Sequence, residues 1–353
     1  MSHGFVPVQW NRNKKVYDII LWLGIVAAIA ANVLIAGAST PVAVTPSDEI
    51  LVLRALGDTG FILLNIILAI GPLARLNKRF LPLLYNRRHM GVSFFVIVLA
   101  HGLFALMWYQ GFGAVDPLTS LFTSQGTFET VSDYPFQPLG FVALTIFFLM
   151  AATSHDFWNA VLGPKFWKSL HMLVYAAYAL VILHLVLGAL QAEQSHIPSW
   201  VPFASLAWVG GLHILSLFAE PGDVTDVGND DWVEIPAPMD IARGVGRVIE
   251  VKGQERVAIF RTEGDEFGAI SNVCRHQAGP LGEGCMVDGL VTCPWHGFQY
   301  QLEDGASPPP FEEKVATYEL KIENGTLFLN TVALPPGTPR PLVKLAEQYS
   351  EAT

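Results

Sequence analysis

Apolar residues are segregated along this chain rather than spread through it. Six stretches, at about 19–38, 59–75, 90–109, 137–154, 169–190 and 201–218, are long and apolar enough to cross a hydrocarbon layer of roughly 30 Å. Turn chemistry separates them, as at Pro41 to Pro46, Asn86-Arg87-Arg88, Asp133-Tyr134-Pro135 and Gly163-Pro164. The first stretch, Ile19 to Ala38, is longer than the apolar region of a signal peptide and is expected to remain as a span. After Phe218 the pattern changes. Ala219-Glu220-Pro221-Gly222 and the acidic residues up to Asp231 read as a solvated linker. Short alternating strands follow at Arg256 to Thr262, Gly289 to Thr292, Ala316 to Ile322 and Thr326 to Asn330, the last two joined at Asn324-Gly325, a hairpin signal. The expected architecture is a membrane all-α six-helix bundle (1–218), a linker (219–231), a small all-β domain (232–331) and a proline-rich C-terminal tail (332–353).

Composition agrees, with 52% hydrophobic and 15% charged residues in 353, too apolar for an ordinary soluble enzyme. Charge divides at the same boundary. Residues 1–218 hold 11 Lys and Arg against 9 Asp and Glu, and residues 219–353 hold 10 against 22, so the halves carry +2 and −12. The acidic soluble half argues against nucleic acid as a partner. Basic residues in the N-terminal arm (Arg12, Lys14, Lys15), the second connection (Arg75, Lys78, Arg79, Arg87, Arg88) and the fourth (Lys165, Lys168) belong on the cytoplasmic side. The first connection carries Arg54, and the third and fifth carry Asp116, Glu129, Asp133 and Glu193. Both termini are then expected in the cytoplasm, with the spans in a plasma or inner membrane and the lipid bilayer as the first partner.

Cys274-Arg275-His276 and Cys293-Pro294-Trp295-His296 form a Cys-x-His and a Cys-x-x-His sixteen residues apart. Two thiolates and two imidazoles suit zinc or a Rieske [2Fe–2S] cluster. Zinc fingers with this ligand set keep both cysteines in one loop and both histidines on one helix. Here each loop offers one of each, so one iron can take both sulfurs and the other both nitrogens. The third cysteine, Cys285, reads as a plain thiol, and no disulfide framework is implied.

From about Trp232 to Asn330 the chain resembles the Rieske ferredoxin family. It departs from the respiratory high-potential branch. Gln277 to Gly279 supplies no extra Cys, Trp295 stands where a second would be, and Phe298 replaces the Ser two residues after the second His, whereas Tyr300 is kept beside the cluster. A ring-hydroxylating oxygenase would need a further mononuclear iron site, yet no histidine follows His296. The oxygenase reading therefore fails.

Ionisable residues within spans are costly and are functional candidates by default. His101 and His184 fall inside the third and fifth spans, with His89 and His171 near the starts of the same two. These spans run in the same direction, so the separations of 12 and 13 residues set two levels about 18–20 Å apart at 1.5 Å per residue. Arg87-Arg88-x-x-Gly91 with His101, Ala152-Thr153-Ser154, and Trp167-x-x-Leu170-His171 with Tyr175 and His184 resemble the ferric-reductase-like transmembrane family over roughly 16–218. That family includes NADPH oxidases, ferric reductases and the haem subunit of the periplasmic methionine sulfoxide reductase system. The resemblance implies two stacked b-type haems, with His101, His171 and His184 as ligands. His89 is the fourth candidate, although the sulfoxide-reductase branch does not carry it and the 12-residue offset turns it about 120° from His101 on an ideal helix. His213 is the alternative. Arg87 and Arg88 serve topology first and are candidates to pair with haem propionates. For His155 and His213 the plain reading is a hydrogen bond between helices.

Relatives with such a membrane domain receive electrons from a flavin domain or partner, and here a Rieske domain takes that place. The expected function is transmembrane electron transfer from a cytoplasmic reductase or ferredoxin-like donor through [2Fe–2S] and haem to an outer acceptor: quinone, ferric iron, a periplasmic oxidoreductase or oxygen. Alternatives are a quinol oxidoreductase running inward to a soluble acceptor, and a redox or structural subunit of a larger complex. The missing hydrogen-bond donors around the cluster sulfurs place its midpoint toward the low end of the Rieske range of about −150 to +300 mV. An EPR-monitored redox titration checks this, and a value at the upper end contradicts it.

Overall fold

The computed structural model describes residues 12–39, 47–80, 83–84, 86–123, 133–154, 158, 161–162, 164–191, 197–218, 224–227, 231–251, 253–276, 279–294, 297–309 and 311–344. They divide into two compact units, one within residues 12–72 and 86–215, the other within residues 73–84 and 216–344.

Helices build the first unit: α1 (Arg12–Ser39), α2 (Asp48–Leu76), α3 (Arg87–Gln110), α4 (Pro117–Thr123), α5 (Gln137–Ala152), α6 (Pro164–Met172), α7 (Val174–Gln191) and α8 (Val201–Phe218). Five helical segments, Lys14–Ala38, Asp48–Leu76, Arg87–Gln110, Ser169–Gly188 and Val201–Phe218, are long and apolar enough to cross a membrane. Their outward faces are apolar, with Leu34 71% and Leu217 75% exposed, a pattern that lipid tolerates and water does not. This half of the chain is therefore an integral membrane protein. The fourth expected span is the shorter α5, of 16 residues.

Several features differ from the sequence expectation, beginning with α1, which starts at Arg12 rather than near residue 19. The second span was expected from residue 59, but α2 begins at Asp48 and takes Arg54 and Asp58 into the helix, with Asp48 and Glu49 in its first turn, where acids complement the helix dipole. The third connection contains α4, where the Thr119 backbone N–H donates to Asp116 Oδ1 at 3.0 Å. The fifth span is interrupted at Leu173, whose N–H reaches Leu170 O at 3.2 Å in a tighter turn before α7 continues.

The helices approach closely where glycines face side chains. A Cβ added at Gly60 would meet Val98, and one at Gly102 would meet Leu144, so both glycines permit contacts of the kind common between membrane helices. A polar knot ties α2, α7 and α8. The Tyr178 hydroxyl lies 3.2 Å from Asn65 Oδ1 and 2.6 Å from Ser205 Oγ, and Asn65 Nδ2 donates to Phe61 O at 2.8 Å. Each group is thereby satisfied without water, as the bilayer demands.

The second unit holds the all-β part, β1 (Val224–Val227), β2 (Trp232–Ile235), β3 (Gly246–Val251), β4 (Val257–Arg261), β5 (Glu266–Ser271), β6 (Cys285–Val287), β7 (Leu290–Thr292), β8 (Gln299–Tyr300), β9 (Thr317–Tyr318), β10 (Leu320–Glu323), β11 (Thr326–Asn330) and β12 (Val343–Lys344). One sheet runs β1-β3-β4-β5-β12 with β9 also on β5, a second runs β10-β11-β2, and a third is the small β6-β7-β8. The expected Asn324-Gly325 turn has both residues at positive φ, 52° and 80°, as a two-residue hairpin requires. Val257, Ile259, Phe267 and Leu327, all fully buried, lie in one core, and Phe260, Ile270, Leu281 and Tyr300 lie in another beneath the small sheet. The segment read as linker contributes β1, parallel to β3. The segment read as tail contributes β12, antiparallel to β5, and the Thr317 hydroxyl donates to Thr338 O at 2.8 Å.

At the β4–β5 turn Asp265 takes two bonds from Arg243, at 2.8 and 2.6 Å, and one from Arg261 Nε at 2.9 Å. The Arg243 hydrogen bond, helped by Arg261, holds the Asp265 carboxyl down at about 2. Because the folded value lies below the unfolded one, this interaction stabilises the domain fully above about pH 4 and is lost as pH falls toward about 2. Asp265→Asn is expected to destabilise the β domain at neutral pH and to flatten its stability between these limits, as read by denaturant unfolding of the purified protein at stepped pH.

Candidate functional site

The two cysteine loops have the same backbone construction. Cys274 follows β5, and its N–H donates to Gly279 O at 2.9 Å; Cys293 follows β7, and its N–H donates to Phe298 O at 2.8 Å. Both bonds span five residues and close a tight loop around the thiol. Both cysteines are 1% exposed and neither is in a disulfide. The first loop is clamped at its base by Asn272, whose carbonyl accepts from Leu281 N and whose Oδ1 accepts from Gly282 N at 2.7 Å. The second turns at Gly297, φ 71°, in the left-handed region that suits glycine.

Tyr300 lies under both loops and is fully buried. Its hydroxyl accepts from Arg275 N–H at 3.0 Å and sits 3.4 Å from Cys274 Sγ. With an N–H already pointing at the oxygen, the phenolic proton is left to turn toward sulfur. Burial, reinforced by Cys274, pushes the Tyr300 phenol well above its ordinary range, so the proton stays in place for that donation. The His276 ring stacks on Phe298 with centroids 4.8 Å apart and planes at 8°. The position of the missing Ser thus carries an apolar platform for a histidine instead of a donor to sulfur. His296 and Trp295 lie outside the described residues, as does His155. Cys285 lies on β6, opposite Thr292.

The membrane histidines share a different regularity. A carbonyl can only accept, so a ring nitrogen bonded to one must carry the proton. His101 Nδ1 donates to Leu53 O on α2 at 2.9 Å, and His184 Nδ1 donates to Phe136 O, immediately before α5, at 2.8 Å. His171 Nδ1 donates to Trp167 O within α6 at 3.0 Å. In each case the lone pair is left on Nε2, the form in which an imidazole binds iron. His171 Nε2 is buried near the Met150 backbone without a well-formed hydrogen bond, a state that an iron would relieve. The same ring stacks on Trp167, centroids 3.6 Å apart, and Trp167 Nε1 donates to Thr153 O at 2.8 Å.

The fold brings His101 and His184 within electrostatic reach of each other. It brings Arg87 and Arg88 within reach of His171, and Gly71 leaves room for the Arg87 guanidinium, whose Nη1 lies 3.4 Å from where a Cβ would stand. His89 Nδ1 meets Asp18 of α1 at 2.9 Å. His89 thus faces α1 while His101 faces α2, as their rotation on one helix requires. His213 differs from the others: Nδ1 donates to Val209 O at 2.8 Å, so Nε2 must accept from the Tyr175 hydroxyl at 3.0 Å. Its lone pair is engaged, in keeping with the plain reading. Sequence reasoning missed Asp18, Leu53 and Phe136. A backbone acceptor has no side-chain signature, and only Asp18, an acid at the start of a span, offered a legible sign.

The family described as the Rieske [2Fe-2S] domain matches residues 231–319, and the ferric reductase like transmembrane component matches residues 56–182. The ferredoxin component of the alkene monooxygenase system of Xanthobacter autotrophicus is 30% identical over 122 residues, covering 34% of this chain and 96% of the relative. The heme-binding subunit of protein-methionine-sulfoxide reductase, MsrQ, of Caulobacter vibrioides is 30% identical over 181 residues, covering 51% of this chain and 69% of the relative. The corresponding subunit of Bordetella pertussis is 34% identical over 132 residues, covering 37% of this chain and 58% of the relative. Ferredoxin-like loops and haem-protein-like helices therefore have one explanation: the chain belongs to the ferric-reductase-like transmembrane family and, in the same polypeptide, to the Rieske [2Fe–2S] family.

Proposed function

We propose that this protein is a transmembrane electron conduit that passes single electrons between a cytoplasmic donor and an acceptor at the outer side. The observation that carries the reading is the presence, in one chain, of paired Cys loops in a Rieske domain and Nδ1-protonated histidines in a ferric-reductase-like membrane domain. Cys274, His276, Cys293 and His296 would hold [2Fe–2S]. His101 and His184 would hold one b-type haem, and His171 with His89 a second. Bound there, the cluster and haems supply one-electron chemistry whose potential depends on ligands and surroundings.

The protein's own residues do the tuning. Carbonyls of Leu53, Phe136 and Trp167 hold the proton of each ring on Nδ1 and present Nε2 in a fixed direction. Asp18 does the same for His89, and a carboxylate raises ligand basicity more than a carbonyl. That bond, together with the engaged lone pair of His213, favours His89 as the fourth ligand. Arg87 and Arg88 place positive charge beside His171 and suit haem propionates. Tyr300 donates toward Cys274 and stabilises the reduced, more negative state.

In this reading α5 is the fourth of six spans, with both termini in the cytoplasm. The basic residues of the N-terminal arm and the second and fourth connections share one side, and the Rieske domain follows the sixth span onto that same side. Outer acceptors of the right chemistry are quinone, ferric iron or a periplasmic oxidoreductase. The name of the MsrQ relatives, a heme-binding subunit of protein-methionine-sulfoxide reductase, makes the last the first to test.

A titration monitored by absorbance and EPR should find two haems and one Rieske signal. His101→Ala and His184→Ala should each abolish the same haem, and His171→Ala and His89→Ala the other, with the cluster signal kept. Both haems surviving in His89→Ala would return the fourth position to His213. Tyr300→Phe removes a donor to a cluster sulfur and should lower the cluster midpoint by on the order of tens of millivolts, with the haem midpoints unchanged.

A further inference from the structure

His101 and His184 stand on different helices, yet each rests against its neighbour in the same way. Leu53 and Gly57 are one turn apart on α2; Phe136 and Gly140 are one turn apart at the start of α5. In each pair the first residue offers the carbonyl that takes the Nδ1 proton, and the glycine one turn later lies under the same imidazole. An alanine Cβ at Gly57 would stand 2.9 Å from His101 Cε1 and 3.1 Å from its Nδ1. At Gly140 it would stand 2.8 Å from His184 Nδ1 and 2.9 Å from its Cε1. Both fall well inside the roughly 3.5–4.0 Å at which carbon atoms rest in contact. The atoms met are ring atoms pinned by the Nδ1 bond, so the ring has to tilt or give up its carbonyl.

We propose that Gly57 and Gly140 are positioning residues for the imidazole pair. Lacking a Cβ, each forms a saddle that receives the Nδ1–Cε1 edge of the ring, close enough for Nδ1 to reach the carbonyl one turn away. The two saddles then fix the depth and direction of both Nε2 atoms. The inference rests on the reading of His101 and His184 as ligands of one haem.

A glycine between membrane helices can also serve close packing alone, and the same fold supplies the comparison. A Cβ at Gly60 would come 2.6 Å from Val98 Cγ1, across the same α2–α3 contact as Gly57, and one at Gly102 would come 2.7 Å from Leu144 Cδ2. Both of these sites are as tight as the saddles, and the side chains they meet across the helix contact are Val98 and Leu144. Alanine also favours helix over glycine by about 1 kcal/mol, so secondary structure alone predicts no loss at any of the four positions.

The test places Gly57→Ala, Gly140→Ala, Gly60→Ala and Gly102→Ala, one at a time, in the full-length detergent-solubilised protein and reads haem absorbance, low-spin EPR positions and midpoints. Gly57→Ala and Gly140→Ala are expected to displace the same haem, by a shifted EPR position and midpoint or by loss of its absorbance, with the second haem and the cluster unmoved. Gly60→Ala and Gly102→Ala are expected to keep all three signals. Unchanged spectra and midpoints in both saddle variants overturn the proposal, as does an equal disturbance in the Gly60 or Gly102 variant. His101→Ala is run alongside. If it keeps both haems, the ligand reading fails and the saddle with it; if it loses one while the saddle variants are silent, only the saddle fails.

Discussion

A neutral imidazole has one proton and one lone pair, and which nitrogen holds which decides what the ring can do. At four described histidines of the membrane half this choice is made by a fixed acceptor at Nδ1: Leu53 O for His101, Phe136 O for His184, Trp167 O for His171 and the Asp18 carboxylate for His89. The arrangement meets two demands at once. A polar side chain in lipid must be satisfied internally, and a ligand ring must present its lone pair in a defined direction. His213 shows the other solution, with donor and acceptor both consumed between Val209 and Tyr175, which makes it a brace between helices.

The β domain solves the parallel problem for sulfur. Two loops of like closure bury Cys274 and Cys293, and the tyrosine beneath them is held by a backbone N–H so that its own proton turns toward sulfur. In both halves the backbone performs the orientation. Side chains supply the donor atoms, and main-chain carbonyls and N–H groups decide where those atoms point.

This division explains how far the sequence could be read. Cys-x-His, Cys-x-x-His and a histidine in an apolar run are side-chain chemistry, and they were legible, as were the apolar runs and the Asn324-Gly325 hairpin. Helix α2 was read short because Arg54 and Asp58 interrupt its hydropathy, although both lie inside the helix. The break at Leu173 has neither proline nor glycine to announce it. Strands β1 and β12 lie in an acidic and a proline-rich stretch, and they form because sheet edges at β3 and β5 offer ladder partners, which is tertiary information. Pro117 opening α4 with Asp116 before it was a readable helix start that the run of loop residues obscured.

The brevity of α5 has a further consequence. Sixteen residues rise only about 24 Å, less than a hydrocarbon layer of about 30 Å, so with α5 as the fourth of six spans a bilayer around it would have to thin locally or draw its headgroups inward. The carbonyl that anchors His184 belongs to Phe136, at the residue where that short helix begins. In that six-span reading the imidazole is moored at one end of the shortest span. In the proposed conduit, a partner approaching from that face would meet a shortened gap, and lipid thickness would enter the rate at which electrons cross it.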